Sequence, residues 1–294
     1  MKTIAKAFLV VLLVCGASQG AAPMYVTPTG SGDGSSWGTA ANINAAVLAA
    51  PAGCTVYVTN NATYTLTNQL AITNFTIQSY GANGLPDRDH TFINGNFPNF
   101  TNRCFYLNHA NAVVDGFTIT NGYCIGNGGG VCIDTAGGTL RNCLVMGNTA
   151  TNAAGGGGVY AYGASSMITN CDIIGNAAWR DGGGAYLVSA AKMWNCRVMR
   201  NRLAGVDQAS GGGLFANGAA VWNCSIISNS VPSFYSNQGG GAYLTSGSTL
   251  RNCLIMGNSN PFGNCSGSRP KAGGHLRVNG GASEPGAWAR LTRC

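Results

Sequence analysis

Leu140-Arg141-Asn142-Cys143-Leu144-Val145-Met146-Gly147-Asn148 recurs in altered form four more times down the chain, aligned on Asn170-Cys171, Asn195-Cys196, Asn223-Cys224 and Asn252-Cys253. The cysteines stand 28, 25, 28 and 29 residues apart. In every copy an apolar residue lies three before the cysteine and a valine or isoleucine two after it. A second asparagine follows five after it, at Asn148, Asn176, Asn201, Asn229 and Asn258. A fixed period of this size marks an array whose units bury their apolar faces only against their neighbours. A degenerate sixth copy reads Val113-Val114-Asp115-Gly116-Phe117-Thr118-Ile119, and a further echo is read at Asn74-Phe75-Thr76-Ile77.

Strict alternation along a strand would put the cysteine and the apolar residue three before it on opposite faces. Both are apolar, so the chain turns between them, and asparagine is the turn residue because it tolerates the left-handed backbone a very short corner needs. Short strand, Asn corner, short strand is the change of sheet in a parallel β-helix. Asn142, Asn170, Asn195, Asn223 and Asn252 then form one structural ladder, and the asparagines five after each cysteine a second one at the next corner. Cys143, Cys171, Cys196, Cys224 and Cys253 form an inward column. Their parallel Cβ vectors, about 4.8 Å apart, suit core packing better than disulfides.

A glycine triplet lies 11 to 13 residues before each cysteine, from Gly128–Gly130 to Gly239–Gly241. Its recurrence marks a structural bend, not a phosphate loop, which would need a Lys-Ser/Thr and a helix. An apolar–aromatic–apolar triad follows in most copies, placing Tyr160, Tyr186, Phe215 and Tyr243 between flanking residues that compensate in size, such as Ala185 with Leu187 and Leu214 with Ala216. Those flanks share the tightly packed inside, so the aromatics face out as a column, the candidate ligand-binding surface. Spacing varies only between the second asparagine and the next triplet, and loops project there. A leucine-rich repeat has an overlapping period, but the Gly-rich intervening segments make poor helices. The fold expected is all-β, a right-handed single-stranded parallel β-helix.

These repeats resemble the pectate-lyase-like superfamily of right-handed parallel β-helices, and in particular non-enzymatic bacterial surface proteins with polymorphic-outer-membrane-protein-like repeats. The segment Tyr25-Val26-Thr27-Pro28-Thr29-Gly30 through Gly34-Ser35-Ser36-Trp37-Gly38-Thr39-Ala40 is similar to the usual start of such domains. The resemblance implies an N-terminal capping helix, here about Asn42–Ala50, with strands beginning at Gly53–Val58. The organisation expected is a signal peptide over 1–22, a cap over 23–60, rungs over about 61–264, and an atypical basic tail over 265–294, read as a truncated or frame-shifted end.

The leader carries Lys2 and Lys6, an apolar run Ala7–Val14 too short to cross a membrane, and small residues through Ala22, which is the pattern of a secretory signal. The protein is therefore expected to be secreted, extracellular or on the outer cell surface. The net charge of +7 sits mainly at the ends, with +2 in the leader, +4 in the last thirty residues and +1 over residues 24–264. A near-neutral body is a poor nucleic-acid footprint. Only 9% of residues are charged, against about 25% in an average domain.

Nine carboxylates, from Asp33 to Glu284, leave few places for acid–base chemistry. The Asn-Thr-Asp, Asp-Asp and Gly-His-Gly motifs that the resemblance would imply for a hydrolase do not occur. An acidic-sugar site built from Asp172, Asp181 and Arg197 is the enzymatic alternative, a polysaccharide lyase or hydrolase. Asp87-Arg88-Asp89 is read as a charged turn and His90 and His109 as loop histidines. No metal or cofactor is expected, because no histidine lies near the cysteine column and no Cys-x-x-Cys occurs. Cys54, Cys104, Cys124, Cys132, Cys265 and Cys294 have no assignable partners. The sequence thus reads as a non-catalytic, adhesin-like or polysaccharide-contacting module, a monomer without a transmembrane segment in the mature chain, whose partner is polysaccharide or another cell-surface protein.

Overall fold

The computed structural model describes residues 20–152, 155–205, 209–232 and 238–260, together with strands at Leu276–Asn279 and Ala289–Leu291. The chain winds as a right-handed parallel β-solenoid of about 8 turns. Strands of successive turns stack in parallel register. In the turn that holds the first full repeat, Gly138–Arg141 lies in a first sheet and Leu144–Met146 in a second. Thr149–Thr151 follows in a third sheet and Val159–Tyr162 in a fourth. The third sheet has four strands, from Tyr123–Ile125 to Arg202–Leu203, and occupies ground where the spacing led only to loops. Pairing continues a few residues past the second asparagine before the loops leave, because that asparagine already holds successive turns together.

Asn142, Asn170, Asn195, Asn223 and Asn252 all have φ between 49° and 54°, the left-handed turn between first and second sheets. Their side chains step up the corner, with Asn195 Nδ2 donating to Asn170 Oδ1 at 2.7 Å and Asn252 Nδ2 to Asn223 Oδ1 at 2.6 Å. One turn earlier Gly116, at φ 80°, takes the corner, and Phe117 fills the place of the cysteine in the core. The echo at Asn74-Phe75-Thr76-Ile77 belongs one element earlier than its spelling suggests. Ile77 pairs with Val114 in the first sheet, so this segment is the strand before a corner and not the strand after one. Apolar spelling alone does not separate the two, because both strands bury alternate residues.

The second asparagines are buried. Asn176 Oδ1 accepts from the backbone N and the Nδ2 of Asn148, both at 3.0 Å. Its own Nδ2 donates to Val145 O and to Asn201 Oδ1, each at 3.0 Å. The same set repeats from Asn201 to Asn229 and from Asn229 to Asn258. The third glycines Gly130, Gly158, Gly184 and Gly213 seat against this ladder. A Cβ on Gly184 would lie 2.6 Å from Asn201 Nδ2 and 2.8 Å from Gly213 O, closer than packed atoms allow.

Inside, Leu140, Cys143, Val145, Val159 and Ala161 represent the layers of one continuous core. Each cysteine of the column donates its thiol to the carbonyl two residues back, as Cys171 does to Thr169 O at 3.2 Å. Cys54, Cys104, Cys124 and Cys132 are buried free thiols, and burial pushes Cys104 up to about 12. Cys265 and Cys294 lie outside the described residues. At the N-terminal end the helix Ile43–Ala49 starts at Asn42, whose Oδ1 accepts from Ala45 N at 2.9 Å, and buries Ile43 and Ala46 on the open core. Met24–Val26 pairs with Val56–Val58, so the first sheet already begins within the cap. Strands Leu276–Asn279 and Ala289–Leu291 pair with Ala242–Thr245 and Cys253–Ile255, so sheet pairing reaches past the boundary expected at residue 264.

Gly184→Ala is expected to remove most of the stability of the solenoid. Gly175→Ala, at φ 66° but with nothing within 4 Å of its Cβ, should cost only about 1 kcal/mol of backbone strain. Urea unfolding followed by circular dichroism measures both, and equal losses would contradict the contact drawn between glycine and asparagine.

Candidate functional site

Two outward surfaces carry side chains with chemistry to offer. The first lies on the fourth sheet. Tyr160, Tyr186, Phe215 and Tyr243 are consecutive register partners. Each lies between two inward residues, as Tyr186 does between Ala185 and Leu187, and each ring is half-exposed. Ring centroids follow at 5.5, 4.6 and 5.3 Å, the first two contacts edge-on and the last stacked. Such pairs prefer edge or offset geometry because the ring faces are negative and the edges positive. One described loop residue touches the column. Gly155 packs so closely on Tyr186 that a Cβ there would lie 2.0 Å from its Cδ1.

Below Tyr160 the register continues through Cys132 to Tyr106. Tyr106 donates to Asp134 Oδ2 at 2.6 Å, and Arg103 lies 5.7 Å from the Tyr106 ring centre while donating to Cys124 Sγ at 2.8 Å. The hydrogen bond to Asp134 pushes the Tyr106 hydroxyl up to about 12, and burial followed by the neighbouring Tyr186 does the same for Tyr160. These phenols stay neutral across the physiological range. The surface therefore offers ring faces and hydroxyls, with one guanidinium at its foot.

The second surface lies where the first sheet turns into the second. Asp172 is buried, and Arg197, its register partner on the next turn, donates from Nε to Oδ1 at 2.6 Å. Arg88 reaches the same carboxylate from the other side, with Nη2 at 2.8 Å from Oδ2 and Nη1 at 3.3 Å from Cys143 O. Burial alone would raise the Asp172 pKa. Hydrogen bonds from Arg197 and the charges of both arginines outweigh burial and hold it below the usual carboxylate range. Arg88 belongs to a loop fastened at both ends. Asp87 N donates to Ser79 Oγ at 2.7 Å, and Thr118 Oγ1 donates to Arg88 O at 2.7 Å. Between this loop and Asn142 and Asn170 runs an open groove of roughly 490 Å³.

Of the proposed acidic-sugar trio, only Asp172 and Arg197 come together. Asp181 lies at the opposite corner, after the third sheet, where its Oδ1 accepts from Ser210 N at 2.9 Å. Burial raises its pKa, and burial followed by the charge of Asp181 raises that of Tyr186. The separation follows from the winding, since nine residues of sequence here span two corners. Arg88 was read as part of a charged turn, and no repeat signal announces it, because its loop lies outside the period and its carboxylate is 84 residues away. A second missed feature is Trp194, 51% exposed beside its register partner Trp222. Among the described residues no group of three or more His, Cys, Asp or Glu side chains is arranged to hold a metal ion.

Comparison with known proteins agrees with this architecture. No curated protein matches the chain. Among solved structures it is similar to pectate lyase Pel9A, at 17% identity and a TM-score of 0.52, covering 91% of this chain and 80% of that one. It also aligns with Escherichia coli YbhC at 12% identity and a TM-score of 0.46, over 86% and 74% of the two chains. At 17% identity the likeness to the lyase is one of fold. The model of the right handed beta helix region matches residues 56–280, most of the solenoid and well over half of the sequence, and the chain belongs to that family.

Proposed function

We propose that this protein is a secreted or cell-surface β-helix module that holds polysaccharide against the aromatic column of its fourth sheet and does no chemistry on it. The observation that carries this reading is the unbroken, half-exposed run of four rings from Tyr160 to Tyr243, one per turn. Ring faces bordered by hydroxyls suit the apolar faces and polar rims of sugar rings. The leader from Lys2 to Ala22 supports export. Most described aspartates are engaged locally, as Asp115 is with Arg141 and Asn142, and Asp87 with Asn60 and His90, and the carboxylates that share a groove, Asp87 and Asp89, flank Arg88 two residues apart. The double variant Tyr186→Ala/Phe215→Ala is expected to weaken glycan binding about tenfold or more in affinity electrophoresis against a panel of neutral and acidic polysaccharides. A panel without any binding, or a variant that binds like the parent, would overturn the reading.

One observation favours a second reading. The groove beside Arg88, with a pectate lyase among the proteins of similar fold, resembles a place where an acidic sugar could be cleaved. Turnover of polygalacturonate or alginate, with or without Ca²⁺, that Asp172→Asn abolishes would establish it. Under the first reading the Arg88–Asp172–Arg197 cluster is a clasp fixing the loop to the solenoid. Because the folded-state pKa of Asp172 lies below its unfolded value, its contribution is fully present above about pH 5 and fades as pH falls through that lowered value. Asp172→Asn should therefore cost roughly 2 kcal/mol at pH 7, after allowance for the exposure of both arginines. The gap to the parent should close toward pH 3 in urea titrations, and a gap independent of pH would count against the clasp.

A further inference from the structure

Seven of the nine described cysteines pack into the continuous core of the solenoid. Cys124 and Cys132 do not, and both belong to one turn. Cys132 occupies an outward place on the fourth sheet that is a ring in the five other turns from Tyr106 to Tyr243. Cys124 begins a buried column of the third sheet that continues as Ala150, Ala178 and Leu203. Two columns that elsewhere hold rings or aliphatic groups therefore each hold a thiol at the same turn. Packing does not require sulfur at either place, since Ala150 and Tyr160 fill the equivalent positions one turn on.

A guanidinium from the turn before couples the two. Arg103 Nη2 donates to Cys124 Sγ at 2.8 Å, and its Cζ lies 5.7 Å from the ring centre of Tyr106, the register neighbour of Cys132. Cys132 belongs to the same cluster. Burial pushes its thiol up to about 12, the charge of Arg103 opposes that rise, and the charges of Asp134 and Cys124 add to it. Thiolates are the nucleophiles of sulfur exchange, and a cationic neighbour favours them. The chain between the sulfurs suits closure, because four of its seven residues are glycine. Gly128 to Gly130 are held by hydrogen bonds to Gly155, Gly156 and Gly158, which fixes the Cys132 end. At the other end Ile125 is 65% exposed, and Gly126, at φ 152°, covers Cys124 with bare backbone. A Cβ on Gly126 would lie 3.5 Å from the sulfur and 3.6 Å from Arg103 Nη2.

We propose that Cys124 and Cys132 form a redox pair, oxidised to a disulfide by a small disulfide of the glutathione type, with Cys124 as the attacking sulfur. Cys124, having given its proton to water, attacks one sulfur of glutathione disulfide and expels a glutathione thiolate, leaving a mixed disulfide. That thiolate takes the proton of Cys132, whose sulfur attacks Cys124 Sγ and expels the second glutathione. The proton first lost by Cys124 ends on that second glutathione. Two thiols of the protein thus lose two electrons, and glutathione disulfide gains them as two glutathiones. Opening at Gly126 admits the small disulfide and lets Cys124 approach Cys132 to the roughly 5.5 Å between Cα atoms that a disulfide takes. The bond fastens the Gly-rich loop at the foot of the aromatic column. It requires only the oxidant, so its test is independent of glycan binding and of where the protein resides.

The test is to equilibrate the folded full chain with glutathione disulfide, unfold and alkylate it, cut it before aspartate and weigh the fragments. Asp115–Ile133 carries Cys124 and Cys132 and no other cysteine. It is expected two hydrogens lighter and unalkylated, and dithiothreitol should return both thiols. Cys132→Ser should trap one glutathione on Cys124, whereas Cys124→Ser should gain it at Cys132 about tenfold more slowly. Arg103→Met should slow closure about tenfold and Arg103→Lys should restore most of the rate, a pattern that a packing role for Arg103 would not produce. The parent chain gives the primary answer without any substitution, so a variant that misfolds does not remove the test. A fragment alkylated at both sulfurs after oxidation, a bond from either sulfur to another cysteine, or faster gain of glutathione in Cys124→Ser than in Cys132→Ser would overturn the proposal.

Discussion

A buried primary amide that accepts from two donors on one turn and donates to the next is the contact on which this solenoid is organised. Taking an amide out of water is unfavourable unless its donors and acceptor find partners. Asn176 meets that condition by reaching one turn in each direction, to Asn148 and to Asn201. The ladder is satisfied only when turns stack in one register, so a slip of a single residue would leave several buried polar groups unpaired at once. The same contact explains the glycines. The amide occupies the space a side chain would need at Gly130, Gly158, Gly184 and Gly213, and the chain crosses that corner as bare backbone.

Fixed register converts sequence period into surface pattern. Whatever residue type recurs at one place in the repeat becomes a straight column, about 4.8 Å per step. Inward, this makes a line of thiols that pack as small apolar groups and donate to nearby carbonyls. Outward, it makes rings on the fourth sheet and asparagine amides along the first corner. The charged clasp is of another kind. Arg88 comes from a loop outside the period, and its bond to Asp172 ties a non-repeating excursion to the repeating body. Asp172 can be buried because two guanidiniums compensate the loss of water around it.

The repeat by itself determined most of the architecture. Asn-Cys with a β-branched residue two further on located the first corner, since only a turn reconciles two apolar positions three residues apart. The cap over Asn42–Ala50 was implied only by the family resemblance, but Ala185 and Leu187 about Tyr186 showed which residues of the fourth sheet face in. These are local signals, carried by backbone preference and alternation, so they survive being read without coordinates. The echo at Asn74–Ile77 shows their limit, because alternation is the same in the strand before a corner and the strand after it, and only pairing with Val114 distinguishes them.

Tertiary structure decided what depends on how turns are superposed and where loops return. Asp181 is close to Asp172 in sequence but at another corner in space, whereas Arg88 is distant in sequence and in contact. The third sheet exists because a buried ladder keeps the chain paired beyond the second asparagine, a long-range hydrogen-bonding effect without a spelling of its own. Cys124 and Cys132 are close in the text, but the guanidinium that couples them, Arg103, arrives only because the turn before is stacked beneath them. Period and alternation specify each turn. Contacts between turns, and between the body and its loops, determine which side chains can act together.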